Sequence, residues 1–279
     1  WIEKQLKKKG VPVIHYVSPS IWAWRRNRLR KIKKSIDHML TIFPFEKNIY
    51  SKANIPASFV GHPLADMIPL YSNKKKAQDK LKIIKATKVI GLLPGSRQGE
   101  VKWHAQLLID SAIEISKKIR DVKFLVPLQT RETYDIFSKI LFKNTHAELD
   151  IQLLIGHASD AINAADLVIV ASGTATLETA LYKKPMIVIY KMSSISWQIL
   201  KRMRYLPFVS LPNILLNKFL VPELLQSDAT YANISSKAIE IIKDASYRKN
   251  LLIQFTKIHH QLKQNTSDRL NKVILKFIK

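Results

Sequence analysis

A short turn of small and hydroxyl-bearing residues, Ser172, Gly173 and Thr174, joins a predicted buried strand to a predicted helix. The free backbone N–H groups and the dipole at the start of a helix attract phosphate. Gly173 lets a phosphate approach the backbone, and the two hydroxyl groups can add hydrogen bonds. Glu178 follows on the same helix face as Thr174, where its carboxylate could hold a sugar diol. An ordinary capped helix with an exposed Glu is the alternative.

A second turn of this kind lies in the segment VIGLLPGSRQGEV, where a predicted strand runs into Pro94-Gly95-Ser96-Arg97. A guanidinium at the carboxyl end of a strand is well placed to bind a diphosphate. The GxxxxGK[ST] spacing of a P-loop is absent from this segment. Two phosphate-binding turns in one α/β domain are stronger evidence than either turn alone.

Two Trp and four Arg residues follow another predicted strand in the segment HYVSPSIWAWRRNRLR. Three interpretations remain open for this segment. It could stack nucleic-acid bases, form the mouth of a cleft for an amphipathic anionic substrate, or simply pack Trp side chains under a basic helix.

The composition favours an anionic partner. The 279 residues carry a net charge of +25, which suits nucleic acid, a phosphorylated ligand or an anionic membrane, although a Lys-rich bias explains it equally well. The absence of Cys excludes disulfides and Cys-based metal sites. No apolar run is long enough to span a membrane. Because the chain starts without Met, at a helix-to-strand joint, we expect an N-terminal portion to be missing from this sequence.

The hydrophobic pattern alternates between short apolar runs and segments of helical period, which predicts an α/β fold with parallel sheets. The predicted strands are residues 11–16, 38–42, 57–60, 89–93, 122–127, 151–154, 167–170 and 186–190. The predicted helices are residues 100–120, 130–142, 174–183, 194–204, 222–225 and 235–243, with a long basic amphipathic end over residues 245–279. A polar stretch at residues 69–76 predicts a boundary between one domain over residues 1–70 and another over residues 71–279.

Six segments together resemble the lipid-A-disaccharide synthase family of GT-B glycosyltransferases. They are HYVSPSIWAWRRNRLRKI, FPFEKNIYSK, FVGHPLAD, LLPGSRQGEV, ASGTATLETAL and VSLPNILLNKFLVPELLQ. The resemblance implies two Rossmann-like domains with parallel sheets, of which the N-terminal, acceptor-side one is incomplete here and the C-terminal one binds the UDP-sugar. It also implies transfer of 2,3-diacylglucosamine from UDP to 2,3-diacylglucosamine 1-phosphate, which forms the β-1,6 lipid A disaccharide and releases UDP.

The resemblance also assigns roles by position. Arg97 would meet the donor phosphates and stabilise the leaving group, and Glu178 would take the ribose hydroxyls. The other implied UDP-binding residues are Ser172, Gly173, Thr174, Asn213, Glu223 and Gln226. The implied acyl-sugar residues on the acceptor side are Ser18, Ser20, Trp22 and Arg25. An ordinary capping or turn role is the alternative for Asn213 and Gln226.

This sequence departs from the family pattern at the general base. The Gly-rich turn and the acidic residue thought to act as base in the family's N-terminal part are absent, so the base is unknown. His15 and His62 lie near predicted strand ends but are weak substitutes. No metal site and no cofactor are expected, because no clustered ligand set is visible.

The implied substrates carry acyl chains, so we expect the protein to work at an anionic membrane surface. The segment over residues 197–208 mixes apolar and basic residues and predicts interfacial attachment, although a core helix with a basic edge is the alternative. The expected location is the cytoplasmic face of the inner membrane of a Gram-negative bacterium. A homodimer is conceivable, and nucleic acid is not an expected partner.

Three rival interpretations remain. One is another GT-B enzyme acting on a UDP-sugar, either a transferase or an epimerase. Another is a basic nucleic-acid-binding protein, although the RNP, zinc-finger and helix-turn-helix signatures are missing. The last is an inactive remnant that still binds UDP.

Overall fold

A computed structural model describes residues 1–22, 26–83, 88–144, 149–203 and 205–278. The chain forms two compact units. Unit 1 comprises Trp1–Pro69, Trp197–Pro207 and Lys257–Lys279, and unit 2 comprises Leu70–Ser196 and Phe208–Thr256. The sequence-based division places residues 197–207 and 257–279 in the second domain instead. The assignment of one domain to the acceptor and the other to the UDP-sugar stays a prediction.

Unit 1 contains a small parallel sheet in the order β1-β2-β3. Its strands are β1 (Ile14–Tyr16), β2 (His38–Thr41) and β3 (Ala57–Phe59), and the helices that lie wholly within it are α1 (Ile2–Lys8), α2 (Leu29–Lys33), α3 (Pro44–Lys52), α4 (Pro63–Met67) and α14 (Thr266–Ile274). The buried residues Val13, Ile21, Met39, Tyr50 and Ile55 form its core.

Unit 2 contains a six-stranded parallel sheet in the order β6-β5-β4-β7-β8-β9. Its strands are β4 (Lys88–Leu93), β5 (Val122–Leu128), β6 (Ile151–Ile155), β7 (Leu167–Ala171), β8 (Met186–Tyr190) and β9 (Glu223–Leu225). Its helices are α5 (Lys74–Lys80), α6 (Gln98–Ser116), α7 (Arg131–Asn144), α8 (Ala158–Ala164), α9 (Thr174–Leu181), α11 (Leu211–Leu216) and α12 (Tyr231–Lys243). Two further helices, α10 (Ser194–Met203) and α13 (Ala245–Leu262), begin in the residues of unit 2 and end in those of unit 1.

The strand order of unit 2 fixes where a ligand can bind. The chain adds β5 and β6 on one side of β4 and then returns to its other side with β7, β8 and β9. The neighbouring strands β4 and β7 therefore flank a topological switch point, and ligands of open parallel sheets bind beyond the carboxyl ends of the strands at such a point. The apolar strands of this sheet, such as the fully buried Leu167–Val170, explain the layer of helices on both faces.

The predicted α/β class with parallel sheets is confirmed, and each predicted strand is found. The predicted helix over residues 222–225 is wrong, because β9 (Glu223–Leu225) pairs there with β8 in the register Val188↔Glu223. Four residues are too few to show a periodicity, so only the neighbouring strand decides their conformation. In the described part of the chain, no helix has the length and apolar character needed to cross a membrane.

The predicted long amphipathic end is interrupted. It forms the two helices α13 and α14, with a break at Asn265, whose φ is 51°. The Asp66 carboxylate causes the break, because it accepts hydrogen bonds from the backbone N–H groups of Gln264 (3.1 Å), Asn265 (3.1 Å) and Thr266 (2.7 Å). A side chain distant in sequence thus caps α14, which periodicity alone does not show.

Candidate functional site

A cavity of about 610 Å³ opens at the carboxyl edge of the sheet in unit 2. Its walls come from the turn after β4, the turn after β7 and the segments that follow β5 and β6. Its lining includes Ser96, Arg97, Gln129, His157, Gly173 and Glu178. The sequence thus predicted the two turns on its walls, and the cavity lies at the switch point where a ligand is expected.

The Gly173 corner, residues 172–175 between β7 and α9, has an open helix start. Gly173 has φ of 157° and ψ of −161°, a conformation that favours glycine, and no side chain caps the first turn of α9 in the described part of the chain. A Cβ added at Gly173 would meet nothing within 4 Å, so the space in front of the turn is free. Thr174 is exposed beside it. Backbone N–H groups and a helix dipole in open space are what an anion needs.

The Arg97 corner, residues 94–97 between β4 and α6, is built differently. Oε2 of Glu100 accepts hydrogen bonds from the backbone N–H groups of Ser96 (2.9 Å) and Arg97 (3.2 Å). Oε1 of Glu100 accepts a third bond, from the Arg97 guanidinium, at 2.7 Å. The helix start is therefore already occupied by a carboxylate of the same chain. What this corner offers a ligand is the Arg97 side chain, which is 81% exposed.

His104 ties the Arg97 corner to the end of β8. Its Nε2 accepts a hydrogen bond from the backbone N–H of Lys191 at 2.9 Å, so its Nδ1, 2.7 Å from the carbonyl oxygen of Pro94, carries the proton and donates it. Burial lowers the pKa of this fully buried imidazole. The neutral ring thus fixes the strand end that precedes Arg97, a role that no sequence motif indicated.

Glu178 lines the cavity one turn into α9. The Ser159 hydroxyl donates to its Oε1 at 2.6 Å, which holds the carboxylate against α8. This bond engages Oε1 alone among the described residues, so Oε2 can accept a hydrogen bond from a ligand. The ribose role of Glu178 stays a prediction.

Asn213, Glu223 and Gln226 do not line this cavity. The Glu223 carboxylate accepts hydrogen bonds from Ser210 Oγ (2.7 Å) and Asn213 Nδ2 (2.8 Å), and from the backbone N–H groups of Val209 (3.0 Å) and Ser210 (2.9 Å). Asn213 is fully buried. The amide of Gln226 pairs with the backbone of Met192. All three side chains shape loops here, and their predicted contact with UDP remains a prediction.

The loop that Glu223 and Asn213 organise reaches the Gly173 corner. The Ser172 hydroxyl donates to the carbonyl oxygen of Val209 at 2.9 Å, and the backbone N–H of Leu211 donates to Thr176 Oγ1 at 3.2 Å. Ser172 therefore supports the corner from behind, while Thr174 faces solvent.

The predicted acceptor-side residues of unit 1 differ in exposure. Ser18 is buried and lies 2.7 Å from the Tyr50 hydroxyl, and Trp22 is buried with its ring edge-on to Phe45 at 5.5 Å. Ser20 is exposed. Arg25 lies outside the described residues.

The two weak candidates for a general base have structural partners. His15 pairs with Glu3. Nδ1 of His62 accepts the backbone N–H of Leu64 at 3.2 Å, and burial lowers the pKa of this ring to about 4. In the described ranges, no group of three or more His, Asp or Glu side chains could hold a metal ion.

No sequence motif indicated the walls formed by residues 127–129 and 156–158. These residues follow β5 and β6, at the same sheet edge as the two predicted turns. Because the carboxyl ends of parallel strands share one edge, their positions could have been inferred from the predicted strands alone.

Comparison with known proteins agrees with this geometry. A family model described as lipid-A-disaccharide synthetase matches residues 1–277. The chain belongs to this family. The lipid-A-disaccharide synthase of Methylobacillus flagellatus is 48% identical over 278 residues, which cover 100% of this chain and 74% of that protein. The enzyme of the same name from an Azoarcus species is 46% identical and is covered to 71% of its length. The family resemblance of the six sequence segments is therefore confirmed.

Solved structures similar to this lipid-A-disaccharide synthetase family member show the fold. A UDP-GlcNAc 2-epimerase from Neisseria meningitidis, bound to UDP-GlcNAc, matches with a TM-score of 0.62 at 15% identity over 97% of this chain and 71% of that one. The S. aureus MnaA–UDP structure matches with a TM-score of 0.58 at 14% identity over 98% and 71%. These likenesses confirm the GT-B type of fold.

Proposed function

We propose that this chain is a glycosyltransferase that moves 2,3-diacylglucosamine from UDP to 2,3-diacylglucosamine 1-phosphate. The products are the β-1,6-linked lipid A disaccharide and UDP. The observation that carries this proposal is the family match over residues 1–277. The cavity in unit 2 supports it, because an open helix start and an exposed guanidinium suit a nucleoside diphosphate.

In the proposed donor complex the diphosphate lies against the Gly173 corner. The N–H groups and the dipole at the start of α9 act on its negative charge, and the Thr174 hydroxyl adds a hydrogen bond. The Arg97 side chain, which lines the same cavity, binds the diphosphate, and Glu178 accepts from the ribose hydroxyls. Asn213, Glu223 and Gln226 contribute through the loops that they hold.

The chemical step follows from this arrangement. As the C1–O bond of the donor breaks, its electron pair passes to the diphosphate, which gains negative charge. Arg97 and the helix start of α9 stabilise that charge, and fixed groups of this kind lower the barrier most when solvent is excluded. The acceptor hydroxyl attacks C1 from the opposite side and loses its proton to a base that none of the residues assigned above provides.

The acyl chains of both substrates call for attachment to a membrane surface. In the part of unit 1 that covers residues 197–207, Ile199 is 56% exposed and Tyr205 is 49% exposed, next to the exposed Lys201 and Arg202. Apolar side chains beside cations can insert at the boundary of an anionic bilayer. We infer a peripheral protein on the cytoplasmic face of the inner membrane, and a homodimer stays a prediction.

Vesicle sedimentation tests the membrane proposal. The chain is expected to sediment with vesicles that contain anionic lipid and to be released by salt, and replacing Lys201 and Arg202 with Gln should weaken this binding. Binding that responds neither to salt nor to anionic lipid would rule out the electrostatic part of the attachment.

A transfer assay tests the main proposal. The chain is mixed with both acylated substrates, and the disaccharide and UDP are measured by mass spectrometry. Product from the acylated pair, and none from unacylated UDP-GlcNAc, is the expected result. Turnover of UDP-GlcNAc would favour another UDP-sugar enzyme. Tight, salt-sensitive binding of RNA would favour a nucleic-acid-binding protein. Binding of UDP without transfer would favour an inactive relative.

A further inference from the structure

A second cavity, of about 580 Å³, lies at the carboxyl edge of the unit 2 sheet. All the residues that line it belong to unit 2, and they come from α6, from the segments that follow β8 and β9, and from the start of α12. Its volume is in the range of small-molecule sites, and the roles proposed above leave it unused. We call it the Trp103 cavity.

The Trp103 cavity offers a ligand mainly apolar surface. The side chains of Trp103 on α6 and Tyr231 on α12 are 50% and 49% exposed. Leu107 and Met192 are further apolar members of the lining. Large aromatic side chains dominate the energetics of an interface when a partner covers them, and a contiguous apolar surface marks a site for a ligand or partner.

Several polar residues of the lining are engaged within the protein. Nε2 of Gln106 donates to Oδ1 of Asp110 at 2.8 Å. The amide of Gln226 accepts the backbone N–H of Met192 at 2.9 Å and donates to its carbonyl oxygen at 3.1 Å. The two charged residues of the lining, Asp110 and Lys191, have opposite signs. The cavity therefore lacks the excess of positive charge that suits an anionic ligand, and apolar contact is its main contribution to binding.

Two separate distances place the Trp103 cavity next to the Arg97 corner. The stretch of α6 from Arg97 to Trp103 rises about 9 Å along the helix axis. In the sheet, β7 alone separates β4 from β8, which puts the ends of those two strands about 10 Å apart. His104 joins the two places, because its ring bonds to Pro94 of the Arg97 corner and to Lys191 of the Trp103 cavity.

We propose that the Trp103 cavity binds an acyl chain of the UDP-sugar donor. This inference rests on the proposed transferase function, in which Arg97 binds the diphosphate. The acyl groups of that donor are attached at the second and third sugar carbons, close to the C1 that bears the diphosphate. A sugar directed from the Arg97 corner toward β8 therefore brings an acyl group to the Trp103 cavity, about 10 Å away. A chain of CH2 groups suits the apolar lining and needs no charged partner.

Titration calorimetry without acceptor tests this inference, because no transfer can then occur. The ligands are UDP, unacylated UDP-GlcNAc, and UDP-diacylglucosamine with chains of about six, eight and ten carbons, all kept below the concentration at which micelles form. Each CH2 added while the chain still fits the cavity should tighten wild-type binding about two- to fourfold, the scale for burying one CH2 group. UDP and UDP-GlcNAc give the baseline without acyl contact.

Two variants remove the aromatic side chains of the cavity one at a time. Trp103→Ala should weaken the acylated donor about tenfold, since that factor corresponds to the loss of about 50 Å² of apolar contact. Affinity for UDP and UDP-GlcNAc should not change, because Trp103 does not line the first cavity. Tyr231→Ala should have the same selective effect. Both side chains are half exposed and Ala favours helices, so we expect both variants to fold.

Phe142→Ala is the matched control. Phe142 is an 81% exposed aromatic residue of α7 that lines neither of the two cavities. Its replacement should change no affinity at any chain length. The control thus separates a defined site from general adhesion of acyl chains to exposed aromatic side chains.

Three results would overturn the inference. They are wild-type affinity independent of chain length, an equal loss in Phe142→Ala, and a loss in Trp103→Ala that already occurs with unacylated UDP-GlcNAc. The last result would mean that the cavity holds the sugar ring and not an acyl chain.

A failure of the proposed function gives a different result. If the wild-type chain transfers no sugar and binds no UDP, a brominated fatty alcohol still tests the cavity, because bromine quenches Trp fluorescence on contact and the alcohol carries no charge. Trp103→Phe keeps an aromatic ring but removes the indole, so the quenched part of the fluorescence should fall in this variant. Equal quenching in both proteins would refute the acyl-chain site.

Discussion

The two sheet-to-helix corners of unit 2 look alike in sequence and differ in structure. Each places a glycine and a serine between a buried strand and a helix. At the Arg97 corner the N–H groups of Ser96 and Arg97 are bonded to Glu100, whereas at the Gly173 corner no side chain caps α9 in the described residues. The Glu100 carboxylate thus occupies the place of an anion at the Arg97 corner, whereas the Gly173 corner is open. We therefore propose that the backbone of the Gly173 corner and the side chain of Arg97 recognise phosphate in these two different ways.

The two glycines serve different purposes. A Cβ at Gly95 would lie 2.6 Å from both Cβ and Oε2 of Glu100, so glycine is needed there for the close approach of the internal cap. A Cβ at Gly173 would meet nothing within 4 Å. Glycine there keeps the space free for a ligand and supplies the backbone conformation.

The largest expected effect is that of Arg97→Ala on turnover. Removing one group that stabilises charge in the transition state typically lowers kcat by about 10²–10³-fold, and we expect this range because Arg97 is the positively charged side chain of this corner. Steady-state kinetics of the transfer reaction measures it. Near-normal turnover would contradict the role of Arg97 in stabilising the diphosphate.

Matched variants sharpen the Arg97 test. Arg97→Lys keeps the charge but loses the planar fork of donors, so it should recover only part of the rate. Arg120→Ala removes another exposed Arg, just before the amino end of β5 at the opposite edge of the sheet, and should leave turnover unchanged.

The second prediction compares the same substitution at the two glycines. Gly95→Ala should lower the free energy of unfolding by about 2 kcal/mol, because its Cβ overlaps Glu100 and its φ is 113°. Gly173→Ala should lower the free energy of unfolding by about 1 kcal/mol through backbone strain alone. It should also weaken UDP binding, because the new methyl group enters the space proposed for the phosphate.

Denaturant unfolding and UDP calorimetry on both glycine variants separate these effects. The reverse pattern would have Gly173→Ala as the less stable protein and Gly95→Ala as the weaker UDP binder. It would show that the phosphate binds at the Arg97 corner and not at the Gly173 corner.

The sequence was sufficient for the fold and for the two turns that line the cavity in unit 2. Buried parallel strands such as Leu167–Ala171 are continuous apolar runs, and such runs stay recognisable without any partner. The two corners followed from where those runs end. The internal cap was also within reach of sequence reasoning, since Glu100 is the third residue of α6, the position from which a carboxylate caps a helix start.

The features that the sequence did not predict depend on partners that are distant in the chain. The contact of Asn213 and Glu223 with UDP stays a prediction, and the sequence did not show that their hydrogen bonds go to each other and to Val209, Ser210, Leu220 and Val221. The strand β9 exists only because β8 lies beside it.

The third prediction concerns the carboxylate of the open corner. Glu178→Ala should weaken UDP binding about tenfold, the lower end for the loss of one hydrogen bond to a charged group, without a matching loss of stability. Titration calorimetry with UDP measures it. Ser159→Ala is the control, because it frees Glu178 Oε1 from its 2.6 Å bond and leaves the carboxylate in place. If Ser159→Ala weakened UDP as much as Glu178→Ala, then Glu178 would act by holding α8 and not by binding ribose.

The smallest expected effect on UDP affinity comes from the two hydroxyl groups at the Gly173 corner, those of Ser172 and Thr174. Thr174→Val keeps the shape of an exposed side chain and removes only its hydroxyl, so UDP affinity should fall about threefold, near the lower end for one hydrogen bond because water competes at this exposed position. Ser172→Ala should instead lower stability by about 1 kcal/mol with little change in affinity, because the Ser172 hydroxyl is already bonded to the carbonyl oxygen of Val209. Calorimetry and denaturant unfolding on both variants give the comparison. A larger loss of UDP affinity in Ser172→Ala than in Thr174→Val would mean that Ser172 turns from Val209 to the phosphate when the ligand binds, so that the open corner, too, changes its internal bonds to hold an anion.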